Sequence, residues 1–166
     1  LRVQGESVSP LAVPEDGTAA RILTYRHEEG RRIYERTLQF VLLLAIRRVL
    51  GSAQRVRIEH SLGQGVYVDL PGAEVSDRTA ADIEAAMRSI VAEDVPFTCP
   101  AGTQRDAWQQ FADMGFSDKV RLLNFRNFEK DLLVSADGAI DYFYGTLAPS
   151  AAHVPVFAVH ADPPGL

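Results

Sequence analysis

The sequence predicts an α+β domain in which an antiparallel sheet packs against a long central helix and further helices. Three features predict it. "RTLQFVLLLAIRRVL" (36–50) is a helix-length stretch whose middle is apolar on every side, which suits a helix at the centre of a core rather than one lying on a surface. Two segments, "RVRIEHSLGQGVYVDL" (55–70) and "DLLVSADGAIDYFYG", alternate about glycine-containing turns as hairpins do. "SDRTAADIEAAMRSIVAED" is an amphipathic helix with a start signal. Hairpins mixed with helices in this order argue against a doubly wound parallel sheet.

Taken in order, residues 1–18 are rich in turn formers and lack apolar periodicity, so they read as an arm or linker. "AARILTY" (19–25) reads as a short strand before the turn "HEEG", and the long helix runs from about Gly30 to Leu50, with Ile33, Thr37, Val41, Leu44, Ile46 and Leu50 on one face. In the first hairpin Val56, Ile58, Val66, Val68 and Leu70 are the inward positions, with "SLGQG" as the turn. In the next helix Thr79 with Asp82 resembles a capping box, and Ile83, Ala86, Met87, Ile90 and Val91 form the stripe. "VPFTCPAG" reads as a strand and turn, "TQRDAWQQFADMG" as a helix stopped by Gly115, and "SDKVRLL" as a short helix. Asp137-Gly138 is the turn of the second hairpin, "VPVFAV" (154–159) reads as a last strand, and "HADPPGL" as the approach to a linker. The organisation expected is an arm (1–18), one α+β domain (19–160) and the start of a linker (161–166) to a further C-terminal domain.

Composition bounds the function. With 166 residues, 46% of them hydrophobic, the chain has enough material for one sizeable core. The net charge of -5 is unevenly spread: residues 1–60 carry ten Arg against seven acids, whereas residues 61–166 carry seven basic and fifteen acidic residues. This is not the overall basic balance of a nucleic-acid binder, and no DNA partner is expected, although a local arginine-rich face suits phosphate. The single Cys99 excludes an intrachain disulfide, and the longest apolar run, Phe40 to Ile46, is far too short to cross a bilayer. A cytoplasmic protein without membrane partners is expected.

Chemical motifs are sparse. GxxxxGK(S/T), a complete dinucleotide fingerprint and GxSxG are all absent. His27, His60, His153 and His160 show no paired metal-ligand spacing, so no metal site is expected. His60 ends an alternating strand just before a turn, a place from which a ring can enter a cleft or simply bond local backbone. Cys99 suits a core position better than a nucleophile. Arg31, Arg32, Arg36, Arg47, Arg48, Arg55 and Arg57 are explained in large part by solvated helix ends and pairs with Glu28, Glu29 and Glu35. Tyr67, Tyr142, Phe143 and Tyr144 suit either cross-strand packing or stacking on a base.

Three stretches together carry a family resemblance: the helix 36–50, "GVYVDL" followed by "TAADIEAAMRSIVAED", and "DKVRLL" with "IDYFYGTLAPS". They resemble the second N-terminal domain of threonyl-tRNA synthetases, the editing domain shared with alanyl-tRNA synthetases, over roughly residues 20–160. "RTLQFVL", "RIEHSLGQGVY", "DKVRLLNFRN" and "IDYFYG" are more similar still to the version fused ahead of a P-loop kinase in uridine-kinase-like nucleoside kinases. The resemblance implies an editing-like fold. In the editing family an HxxxH pair and a CxxxH pair hydrolyse mischarged seryl-tRNA; those positions fall here on Arg36 and Phe40, and on Phe143 and Leu147, so neither pair survives. Lys119, Asp141, Gly145 and Pro149 do match.

The candidate pocket expected on this basis comprises Arg36, Phe40, His60, Tyr67, Lys119, Asp141, Phe143 and Leu147, with no catalytic residue and no metal assigned. The function expected is a catalytically silent accessory or ligand-binding module, with a kinase domain as intramolecular partner and a nucleoside, nucleotide or RNA as ligand. ATP and magnesium would belong to the kinase domain alone. The competing expectations are a zinc-independent Ser-tRNA deacylase or tRNA-binding domain, in which Lys119, Asp141 and His60 hold substrate or water, and an interaction domain with no occupied cleft.

Overall fold

The computed structural model describes residues 2, 3, 6, 7, 18–63, 65–98, 109, 112, 113 and 131–166. Over these residues the fold is α+β: strands β1 (Arg2–Val3), β2 (Glu6–Ser7) and β3 (Ala20–Arg21), helix α1 (Glu28–Leu50), hairpin strands β4 (Arg57–Leu62) and β5 (Gly65–Asp69), helix α2 (Asp77–Ala92), and hairpin strands β6 (Asp131–Ala136) and β7 (Ala139–Tyr144). All strand pairs are antiparallel. They form three small sheets, ordered β2-β1-β3, β4-β5 and β6-β7, where a single sheet is expected from the sequence. Residues expected only as an arm thus supply two strands of the first sheet. Cys99, Lys119 and the helices expected over "TQRDAWQQFADMG" and "SDKVRLL" lie outside the described residues, apart from three helical positions at 109, 112 and 113.

Helix α1 is 23 residues long, with Glu28 and Glu29 in its first turn and Arg47 and Arg48 in its last. That distribution complements the helix dipole at both ends. Its middle is buried through Phe40, Val41, Leu44, Ala45 and Ile46, which meet Ile83, Met87 and Ile90 of α2, Val68 and Leu70 of the first hairpin, and Val134 and Ala139 of the second. Each large aliphatic side chain so enclosed contributes roughly 1.5–3 kcal/mol. A short strand 19–25 is reduced to β3 because the chain turns back at Thr24, whose carbonyl accepts from the His27 amide at 2.9 Å and packs directly on Gly30. No side chain fits at Gly30 without displacing that backbone.

Other departures have local causes. The N-cap of α2 is Ser76, whose hydroxyl accepts from the Thr79 amide at 3.2 Å, so the capping pair lies three residues before the expected Thr79 and Asp82. In the first hairpin a register shift between Ile58 and Ser61 breaks the alternation, which leaves Ile58 46% exposed while Val68 is buried. Residues 154–159 form no strand. Val154 is buried in the core, and Val159 is held by its amide donating to Glu84 Oε2 at 2.8 Å. Pro96 and Thr98 make single bridges, to Ser150 and Ser135. Within residues 161–166, expected to open a linker, Gly165 bridges to Asp69 of β5, the Leu166 amide donates to the Val68 carbonyl at 2.9 Å and the Val68 amide to the Leu166 carbonyl at 3.0 Å.

Candidate functional site

Helix α1 and the chain leaving β7 converge at one place. Phe40, 0% exposed, packs edge-to-face on Phe143 of β7 with ring centroids 5.5 Å apart, and on Phe97 at 5.1 Å. Leu147 is buried in the same cluster. Between them Thr37, the one buried polar residue described, donates its hydroxyl to the Ile33 carbonyl at 2.7 Å and accepts from the Ala148 amide at 2.9 Å. This pair of bonds fastens the 146–148 segment to the helix and satisfies an amide that would otherwise be desolvated without a partner.

One turn earlier on α1, Arg36 reaches the mouth of this convergence. Its Nη1 lies 3.5 Å from the Thr146 carbonyl, too long for a strong bond. The guanidinium lies flat against Gly145, where an added Cβ would come within 2.9 Å of Nη1. Gly145 also has φ 102°, a left-handed conformation that favours glycine. Two independent reasons therefore keep a side chain off this position. Arg36 opens into a cleft of about 640 Å³ walled by Arg21, Leu23, His27, Glu28, Glu29, Arg32, Ile33, Tyr144, Gly145 and Thr146.

Burial, then the neighbouring Arg32, pushes the Arg36 pKa down, with Glu29, Glu35 and Tyr144 acting in the opposite direction. Arg32 is paired with Glu28 at 2.6 Å. Arg36 itself makes no ion pair among the described residues. The site is thus a partly desolvated cation facing a solvent-filled space.

Four of the residues expected from the sequence come together here: Arg36, Phe40, Phe143 and Leu147. His60 and Tyr67 do not join them. They stack on each other across β4 and β5, with centroids 5.5 Å apart and planes 26° apart, and line no part of the cleft. Burial first, then Asp69 and Asp162, pushes the Tyr67 phenol up, so that neighbourhood is acidic. Asp141 sits on β7, where its Oδ1 accepts from the Tyr142 amide at 2.8 Å, and it is also outside the cleft lining. Lys119 lies outside the described residues. Sequence reasoning did not find Thr37 as a polar fastener. Nor did it place Arg21 and His27 at a cleft, because residues far apart in the chain carry no shared spacing; Tyr144, one of the aromatics expected to pack across strands or stack on a base, does line it.

The residues at the four family-matched positions do not fit a metal ion. A guanidinium, two phenyl rings and an isobutyl group offer no lone pair to a cation. Among the described residues no group of three His, Cys, Asp or Glu side chains is placed to hold a metal. No described helix is long and apolar enough to cross a membrane.

No family model matches the chain. Among curated proteins it is similar to the threonine–tRNA ligase of Marinobacter nauticus, 27% identical over 158 residues that cover 94% of this chain and 24% of that protein. It is 26% identical over 159 residues to the threonine–tRNA ligase of Symbiobacterium thermophilum, again covering 94% of this chain and 24% of the relative. With the threonine–tRNA ligase of Natranaerobius thermophilus it shares 26% identity over 115 residues, 69% of this chain and 18% of the other. The chain therefore resembles threonine–tRNA ligases over most of its length, and it spans about a quarter of the length of the first two.

Proposed function

We propose that this domain is a catalytically silent, editing-like binding module. The observation that supports the reading is the filling of the α1–β7 convergence by Phe40, Phe143 and Leu147, with Arg36 at its mouth. Rings in contact leave no room there for an attacking water, and a guanidinium, which stays protonated at neutral pH, is not a general base. What remains is a cleft with a fixed positive charge and one exposed aromatic wall, an arrangement suited to holding a ligand. In the whole protein the module would serve a uridine-kinase-like nucleoside kinase, with ATP and magnesium used by a further domain; the segments "DKVRLLNFRN" and "IDYFYG" support that assignment.

Incubating the domain with Ser-tRNA tests the silent reading. Serine is expected to be lost no faster than without protein, and a protein-dependent acceleration would overturn the proposal. The similarity to threonine–tRNA ligases favours a second reading, in which the module still holds tRNA. Retarded migration of tRNA with no deacylation would support it.

A further inference from the structure

We propose that the Arg36 cleft is a binding site for a phosphate monoester carrying a flat aromatic group, the phosphate on Arg36 and the ring on Tyr144. The assignment rests on reading this place as a site that binds rather than hydrolyses. Its volume, about 640 Å³, falls in the range of pockets that enclose small organic ligands. Arg36 and Arg32 stand four residues apart on one face of α1, so their guanidinium groups border the same space. Only Arg32 has a carboxylate partner, Glu28. Arg36 is left with a 3.5 Å approach to a carbonyl, and its fork is unmatched by any acid among the described residues. A half-buried guanidinium in that condition gains most from an oxygen anion that can accept two parallel N–H bonds, as phosphate does.

The lining also limits the charge of the ligand. Among the described lining residues three arginines (21, 32 and 36) stand with two glutamates (28 and 29), a small positive excess that suits one phosphate group better than a di- or triphosphate. The described lining also has an apolar and aromatic part, Leu23, Ile33 and Tyr144, and Tyr144, next in the chain to the Gly145 on which Arg36 packs, is 59% exposed. A solvated ring beside a cation suits a flat π-system attached to the anion. Gly145 belongs to the same device, since its missing Cβ is what lets the Arg36 guanidinium lie where it does.

Phenyl phosphate is the direct probe, titrated calorimetrically into the intact domain alongside phenol, inorganic phosphate and phenyl diphosphate. Phenyl phosphate is expected to bind saturably and more tightly than the other three. Arg36→Gln is expected to weaken it about tenfold or more, and Arg31→Gln, on an exposed position outside the lining, to leave it unchanged. No binding of phenyl phosphate to the unsubstituted domain would overturn the assignment, and so would equal binding by Arg36→Gln. Inorganic phosphate or phenyl diphosphate binding as tightly as phenyl phosphate would overturn the ring or the single-phosphate part. Should Arg36→Gln not fold, the ranking of the four probes on the unsubstituted domain decides alone. Failure here removes the ligand assignment and leaves the silent reading standing, whereas deacylation of Ser-tRNA removes the silent reading.

Discussion

At the scale of single residues, Thr37 and Gly145 do work that a hydropathy pattern hides. Thr37 sits in an apolar face of α1 and reads there as a small β-branched filler, yet its hydroxyl is the sole described partner of the Ala148 amide. Thr37→Val keeps the shape and strands that amide, so urea unfolding should show a loss of about 1–3 kcal/mol. Gly145 is recognisable as a glycine following a strand, but its φ of 102° and the approach of Arg36 together explain why an alanine would not serve. Gly145→Ala should lower the melting temperature and weaken phenyl phosphate binding together. Lower stability with unchanged binding would mean that the glycine serves the turn alone.

At the scale of elements, what was legible depended on whether the signal was local. The second hairpin was readable because Asp137 and Gly138 take φ values of 50° and 70°, the left-handed pair demanded by a two-residue turn and favoured by Asp-Gly. The start of α2 was misplaced because both Ser76 and Thr79 are good caps, and sequence cannot decide which one stands outside the helix. Residues 154–159 were misread because alternating apolar residues satisfy a strand pattern even when the backbone is tied to side chains. The ends of α1 and α2 and the hairpin turn are joined by Arg48, which donates to Glu93 at 2.8 and 3.1 Å and to Asp137 at 2.7 Å. Arg48, then Ser89, pushes the Glu93 carboxyl down to about 2 from an ordinary 4.5. A depressed carboxylate stabilises the fold above its unfolded value and loses that contribution as pH falls through its folded value. Arg48→Met should therefore melt earlier than the unsubstituted domain at pH 7, and the gap should narrow from about pH 4.5 towards pH 2. A gap that stays constant with pH would mean that Arg48 acts through packing alone.

At the scale of the whole molecule, the two family-matched pairs, 36 with 40 and 143 with 147, are 103 or more residues apart in sequence, and only folding brings α1 onto β7 and the loop after it. The resemblance supplied the four positions; the sequence alone could not say whether a cleft, a core or open solvent lay between them. Among the described residues Phe40, Phe143 and Leu147 fill the inner part, and the cleft lies on the side of Arg36. With Arg36, Phe40, Phe143 and Leu147 at the positions of the HxxxH and CxxxH pairs, the backbone should still present a ligand cage. The fourfold variant Arg36→His, Phe40→His, Phe143→Cys, Leu147→His tests this. Losing the buried Phe40 ring, the half-buried Phe143 ring and the buried Leu147 side chain should cost several kcal/mol, so without metal the variant should be strongly destabilised. A tetrahedral site of three imidazoles and one thiolate binds strongly enough to offset that loss, on the scale of roughly 10 kcal/mol for structural zinc. Refolding with cobalt(II) should then restore a cooperative melt and give the visible absorption of a tetrahedral thiolate complex. Restored folding with that spectrum would establish that the scaffold kept the geometry and lost only the donors. A variant that gains neither from cobalt would break the correspondence between these four positions and the HxxxH and CxxxH pairs of the editing family.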